Sequence, residues 1–146
     1  MRILVSRDFR VNVPLERAWS HLAQIERWPT WARHIRRVEL RPGGPLTPCS
    51  EGTFFLRNGV RSTFAMTAFN PPGSWKWRGP FLWLTIDYDH RFEKVADGQT
   101  RLTWTVAAEG MGVGLFGWLF GMIYGRNLDE AIPRLVAEME ATPAAD

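Results

Sequence analysis

The sequence predicts an α+β fold: a curved antiparallel sheet of about seven strands wrapped on one long C-terminal helix, with two short helices between the first and second strands. Three observations predict it. Apolar residues alternate at period two near the N-terminus. From Arg36 to Ala108, short apolar stretches alternate with turn signals. After Gly110 the period becomes helical and stays so to about Ala141.

The elements follow in order. Ile3, Val5, Phe9, Val11 and Val13 alternate with charged or polar neighbours, which reads as a strand with one buried face. Pro14 stops it and suits the first turn of a helix, with Glu16 near the positive end. Leu15, Ala18, Trp19 and Leu22 follow at helical spacing, and Ile25 and Trp28 continue that face until Pro29 breaks it. Trp31 to Ile35 suggests a second short turn of helix.

The strands of the meander are then punctuated by Pro42-Gly43-Gly44-Pro45, Asn58-Gly59, Asn70-Pro71-Pro72-Gly73 and Asp97-Gly98. Within them Val60, Ser62, Phe64, Met66 and Ala68 share one parity. So do Trp75 and Trp77, then Leu82, Leu84, Ile86, Tyr88, His90 and Phe92, then Leu102, Trp104, Val106 and Ala108. Each set is expected to face the interior, unless a bulge shifts the parity and turns the set outward.

On a helical wheel of about 100° per residue, Leu128, Ile132, Leu135 and Met139 share one sector. Traced toward the N-terminus, that sector lands on Gly125, Gly121, Gly117, Gly114 and Gly110. Glycine costs about 1 kcal/mol against alanine inside a helix, so the stripe needs a reason. It leaves space for a ligand between helix and sheet, or lets another helix approach closely, or marks a glycine-rich loop ahead of the true helix. Leu115, Phe116, Leu119, Phe120, Met122 and Ile123 cover the other sides of this half. Such an apolar surface points to a partner, a membrane face or a ligand entrance. Pro133 is expected to kink the helix.

Composition narrows the function classes. The chain has 146 residues, 45% hydrophobic and 23% charged, which excludes wholesale disorder. One domain is expected over 1–141, with a frayed tail at 142–146. The lone cysteine, Cys49, excludes an internal disulfide. Met1–Asp8 is charged again too soon for a secretion signal, so a cytoplasmic location is expected. The longest uncharged run, Gly110–Gly125, is shorter than the roughly 20 residues of a spanning helix, so stable membrane insertion is not expected. The net charge of +3, with acids interleaved throughout, gives no case for nucleic acid. Arg27, Arg33, Arg36, Arg37 and Arg41 read as a solvated face, or as a peripheral attraction to anionic lipid.

Several patterns carry a family resemblance. They are Phe9-x-Val11-x-Val13-Pro14-x-Glu16-x-Ala18-Trp19-x-x-Leu22, Ile25-Glu26-Arg27-Trp28-Pro29-x-Trp31, Trp75-x-Trp77-x-Gly79, His90-Arg91-Phe92-Glu93 and Gly98-x-Thr100-Arg101-Leu102-Thr103. With the order of elements, they resemble the START-like (SRPBCC) superfamily of helix-grip folds, in its bacterial polyketide cyclase/dehydrase-like branch. The resemblance implies a cavity for apolar or amphipathic small molecules between sheet and helix. Some members are cyclases or hydrolases and some carry lipids.

Alternation and resemblance together give an expected lining of Phe64, Met66, Trp75, Trp77, Leu84 and Trp104, with Gly117 and Gly121 as the open face of the helix. His90 and Tyr88 lie on the inward parity and are the candidate acid/base pair. His21 and His34 read as surface residues. The three His are far apart in sequence, so no metal is expected, and no motif calls for a cofactor. The leading function is binding of a hydrophobic small molecule. The alternatives are a cofactor-free polyketide cyclase or dehydratase, and an accessory protein that binds a partner, with residues 113–124 as a homodimer contact.

Overall fold

In the computed structural model, which describes residues 1–141, seven strands form one antiparallel sheet in the order β1-β7-β6-β5-β4-β3-β2. The strands are β1 (Arg2–Val11), β2 (Ile35–Arg41), β3 (Glu51–Leu56), β4 (Arg61–Asn70), β5 (Ser74–Phe81), β6 (Leu84–Ala96) and β7 (Gln99–Glu109). Helix α1 (Leu15–Leu22) and a 3-10 helix (Ile25–Thr30) join β1 to β2. A π-helical turn (Val113–Gly117) leads into helix α2 (Trp118–Ala141), which continues through Pro133. The α+β reading holds, and two short helices do lie between β1 and β2. The second is the 3-10 helix Ile25–Thr30, which contains Pro29, and not the turn expected at Trp31 to Ile35, where residues 31–34 are irregular and Ile35 opens β2. The tail expected at 142–146 lies outside the described residues.

The inward rows follow the alternation with three corrections. Val60, expected to head the β4 row, precedes that strand and is half exposed. β6 buries Leu84, Ile86, Tyr88, His90 and Phe92 in turn. Leu82, expected to head that row, instead sits in the β5–β6 turn with φ 55 and an exposed side chain. In β1 the register shifts between Ile3 and Val5, so Ile3 turns outward and Leu4 becomes half-buried. A bulge reverses parity on one side of itself only, which is why Val5 and Val11 keep their inward places.

Tryptophan fills the middle of the molecule. Trp75, Trp77 and Trp104 rise from the sheet, and Trp28 and Trp31 fold over them from the 3-10 helix and the residue after it. The Trp28 indole N–H donates to the Leu22 carbonyl at 2.8 Å, fixing the ring that enters the core. Trp28 then packs on Trp31, Phe54 and Trp77, at ring-centroid distances of 5.3, 5.6 and 5.6 Å.

The glycine stripe meets a strand. A Cβ at Gly117 would stand 2.9 Å from Leu4 Cδ2, and one at Gly121 would stand 3.1 Å from the Leu4 carbonyl oxygen. At Gly125 it would stand 3.0 Å from the Arg7 guanidinium. The stripe is thus a close approach, but to β1 rather than to another helix. Within the stripe, Gly110 lies in a bend before any helix, and Gly114 and Gly117 lie in the π-helical turn Val113–Gly117, so only Gly121 and Gly125 stand in regular α-helix. Farther along, α2 buries Leu128, Ala131, Leu135 and Met139. It is tied down by Arg7–Asp129 at 2.7 Å and by Glu140, which accepts the Asn12 backbone N–H at 2.8 Å. Gly121→Leu should lever α2 off β1 and cost roughly 2–3 kcal/mol, as overpacking does, read as a lowered urea midpoint.

Candidate ligand cavity

A cavity of about 450 Å³ opens between the first half of α2 and the end of the sheet that carries the β3–β4 and β5–β6 turns. Its inner wall is aromatic: Trp28, Phe64 and Trp77 are buried, with Phe54 half-buried beside them. α2 contributes Phe120, Ile123, Tyr124 and Asn127, which recur at the spacing of one helical face. Its rim includes Val60, Leu82 and Ile123, each at least half exposed. The volume lies in the range of small-molecule sites, which are mostly apolar with a few placed polar groups.

Those polar groups include Ser62, Tyr88, Tyr124, His34 and Asn127. Tyr88 reaches Ser62, and burial holds the Tyr88 phenol well above its ordinary value. Burial also raises Tyr124, whose ring lies 5.8 Å from that of Tyr88, and mutual repulsion adds to it. Both phenols therefore stay protonated and serve as hydrogen-bonding groups. His34 is pushed down from 6.5 by burial, with the charge of Glu130 pulling the other way. It stands on the cavity wall uncharged at neutral pH. Glu130 is one turn beyond Asn127, so His34 and Asn127 mark one polar end of the cavity. Phe81 and Phe120, with centroids 4.8 Å apart, mark an apolar end.

Of the residues expected at the site, Phe64, Trp77 and Tyr88 line this cavity. Trp75, Leu84, Trp104 and His90 point inward but lie in the packed core behind it. Met66 is half-buried and away from the lining, and Gly117 and Gly121 face β1. The reason is volume. Trp28 and Trp31 occupy the space that the sheet's inward rows would otherwise leave open. His90 is enclosed by Trp75, Trp77, Trp28 and Trp104, at centroid distances of 4.9, 4.8, 6.0 and 6.0 Å. Burial pushes it down to about 3, against the small opposing effect of the Trp75 backbone, and its Nδ1 has no hydrogen-bond partner. Arg78 faces outward, paired with Asp87 at 3.3 Å.

Sequence reasoning missed Trp28, Phe54, Ser62, Tyr124 and Asn127 as lining residues, and it missed His34, which it places on the surface. His34 sits in the irregular link before β2, where no period assigns a face. Its one available signal is its place next to Ile35, the buried first residue of β2. Among the described residues, no group of three or more His, Cys, Asp or Glu is placed to hold a metal ion.

A curved antiparallel sheet closed over a long C-terminal helix, with a cavity between them, defines the START-like helix-grip proteins. The chain belongs to the family described as polyketide cyclase / dehydrase and lipid transport, which it matches over residues 2–141. Among curated proteins, none matches it by sequence. Solved structures extend the likeness of fold. A hypothetical protein of Helicobacter pylori superposes with a TM-score of 0.76 at 13% identity, covering 92% of this chain and 86% of its own. A Thermobifida fusca protein solved by NMR gives 0.74 at 14% identity, covering 92% and 91%. The crystal structure of Ara h 8.0201 gives 0.74 at 11% identity, covering 94% and 97%.

Proposed function

We propose that the chain binds a hydrophobic or amphipathic small molecule, lipid-like or polyketide-like, in this cavity and without a cofactor. The observation that carries the reading is a drug-sized cavity with a buried wall of Trp28, Phe64 and Trp77 and a polar end at His34 and Asn127. A flat apolar skeleton fits against the rings, where offset and edge contacts are favourable. Its oxygen atoms fit the neutral donors and acceptors of Tyr88, Tyr124, His34 and Asn127. Membership in a family described by polyketide and lipid chemistry supports the same class of ligand.

Native mass spectrometry of protein purified gently from its own host tests this. The expected result is a discrete small-molecule adduct. Ser62 faces the cavity from β4, so Ser62→Phe should fill it and abolish the adduct. The variant also removes the Tyr88–Ser62 contact, so its unfolding midpoint should fall by no more than about 1–2 kcal/mol equivalent. An adduct that survives in Ser62→Phe places the ligand elsewhere. A bare mass, with no saturable uptake of apolar probes by the wild type, overturns the reading.

A second reading, cofactor-free cyclisation or dehydration, is favoured by one observation: His34 lines the same cavity as Tyr88 and Tyr124, and burial favours the neutral form of all three. Ring closure by enolisation needs a base that accepts a proton and an acid that returns it. Here His34 takes the role that alternation gives to His90, because Trp28 and Trp77 stand between His90 and the cavity. His34→Ala should then abolish turnover while the adduct is retained. Retained turnover sinks this second reading.

A further inference from the structure

We propose that the apolar face formed by the start of α2 and the β5–β6 turn docks on an anionic lipid surface. Met111, Leu115 and Trp118 are 86%, 67% and 61% exposed, and Leu82 and Trp83 in the turn are 62% and 57% exposed. The two segments form one surface. The Trp83 indole N–H donates to the Met111 carbonyl at 2.6 Å, and the Trp83 ring meets Phe116 edge-on at 4.8 Å. Stability of the fold does not explain this face. Leu82 holds a left-handed backbone that L side chains disfavour, and it does so with its side chain in water.

Charge selects the occupant. Between Gly110 and Leu128 the one charged residue is Arg126, which is exposed. The Arg2 guanidinium lies 3.5 Å from the point where a Gly114 side chain would begin. Glu109, at the end of β7, is the nearest acid in sequence, and Asp129 is already paired with Arg7. An apolar face flanked by arginine and carrying exposed tryptophan matches the interfacial layer of an anionic bilayer. A second copy would set Arg2 and Arg126 against themselves, which like charges oppose. Docking is peripheral: no helix among the described residues is long and apolar enough to cross a membrane.

Position adds a reason for the face. Leu82 and Ile123 belong both to it and to the cavity lining. An apolar ligand would pass between lipid and cavity without crossing water. That clause rests on the proposed function; the docking itself does not, and it is tested on the protein without added ligand.

The test is co-sedimentation with vesicles of phosphatidylcholine containing phosphatidylglycerol, and with vesicles of phosphatidylcholine alone. The wild type should sediment with the anionic vesicles and much less with the neutral ones. Leu115→Ser combined with Trp118→Ser should reduce partitioning at least about tenfold, since each removes a large apolar side chain from the contact. Both positions are exposed, so the variant should keep its circular dichroism and unfolding midpoint. Arg2→Glu with Arg126→Glu should reduce binding to the anionic vesicles only. Three outcomes overturn the proposal: no sedimentation with either vesicle, equal sedimentation with both, or a concentration-dependent dimer that Leu115→Ser with Trp118→Ser abolishes.

Discussion

Gly79→Ala should destabilise the protein by about 4 kcal/mol or leave it unfolded at room temperature. A Cβ at Gly79 would stand 1.9 Å from the Thr63 carbonyl oxygen and 3.1 Å from its carbon. Both atoms are backbone, so no rotamer change relieves the clash. The remedy is to part β4 from β5, which pair from Ala65↔Arg78 to Asn70↔Ser74. Those strands carry Ser62, Phe64 and Trp77 to the cavity wall, so ligand uptake should fall with stability. Gly73→Ala is the control: its Cβ would meet the Asn70 carbonyl oxygen at 3.5 Å, an ordinary contact. Urea unfolding of the two variants makes the comparison. Near-native stability of Gly79→Ala would show that the two strands can part there at little cost.

A second large effect is a loss of stability in mild acid that depends on one side chain. His90 has a folded value of about 3 against 6.5 for the ordinary group, because burial opposes the imidazolium. Between those values the unfolded chain binds more protons than the folded one. Stability is therefore complete above about pH 6.5 and falls as the pH drops through the window, by up to about 1.4 kcal/mol per pH unit. His34 acts in the same direction more weakly, since it is less buried and Glu130 favours its charged form. Asp8 and Asp129 are held below the usual carboxylate range by hydrogen bonds to Arg101 and Arg7, so they add to the loss only at lower pH. His90→Phe should flatten the profile between about pH 6.5 and 4.5 while keeping the ring contacts. It also removes a buried Nδ1 that has no partner, so it need not cost stability at neutral pH. Unfolding free energies at several pH values decide the matter: parallel profiles for wild type and variant would assign the acid lability to other groups.

The fold was legible because its signals are local. Alternation in Leu84 to Phe92 and turn chemistry at Asn58-Gly59 and Asp97-Gly98 each need only a few neighbours in sequence. The cavity was less legible because it is a difference of volumes. Parity places Trp75, Trp104 and His90 on the inner face of the sheet, and they are there. It carries no information on whether space or another ring lies opposite. That was decided by Trp28 and Trp31, on a 3-10 helix and its exit, where no regular period exists. The glycine sector of α2 was visible on the wheel for the same local reason, but the identity of its neighbour was not. His34 was hidden because an irregular link assigns no direction to a side chain.

The anchoring of α2 bears on how such a protein changes over generations. Gly117, Gly121 and Gly125 seat the helix closely on β1, against the Leu4 side chain, the Leu4 carbonyl and the Arg7 guanidinium in turn. That face therefore tolerates little variety, least of all at Gly121, where the neighbour is backbone. Phe120, Ile123, Tyr124 and Asn127 look the other way, into the cavity. Their exchange alters the shape and polarity offered to a ligand while the seat of the helix stays where it is. Changes on the two faces should combine almost independently, as separated sites do. A lineage built on this plan can therefore shift from one ligand to another by single replacements, each of them passing through a folded protein.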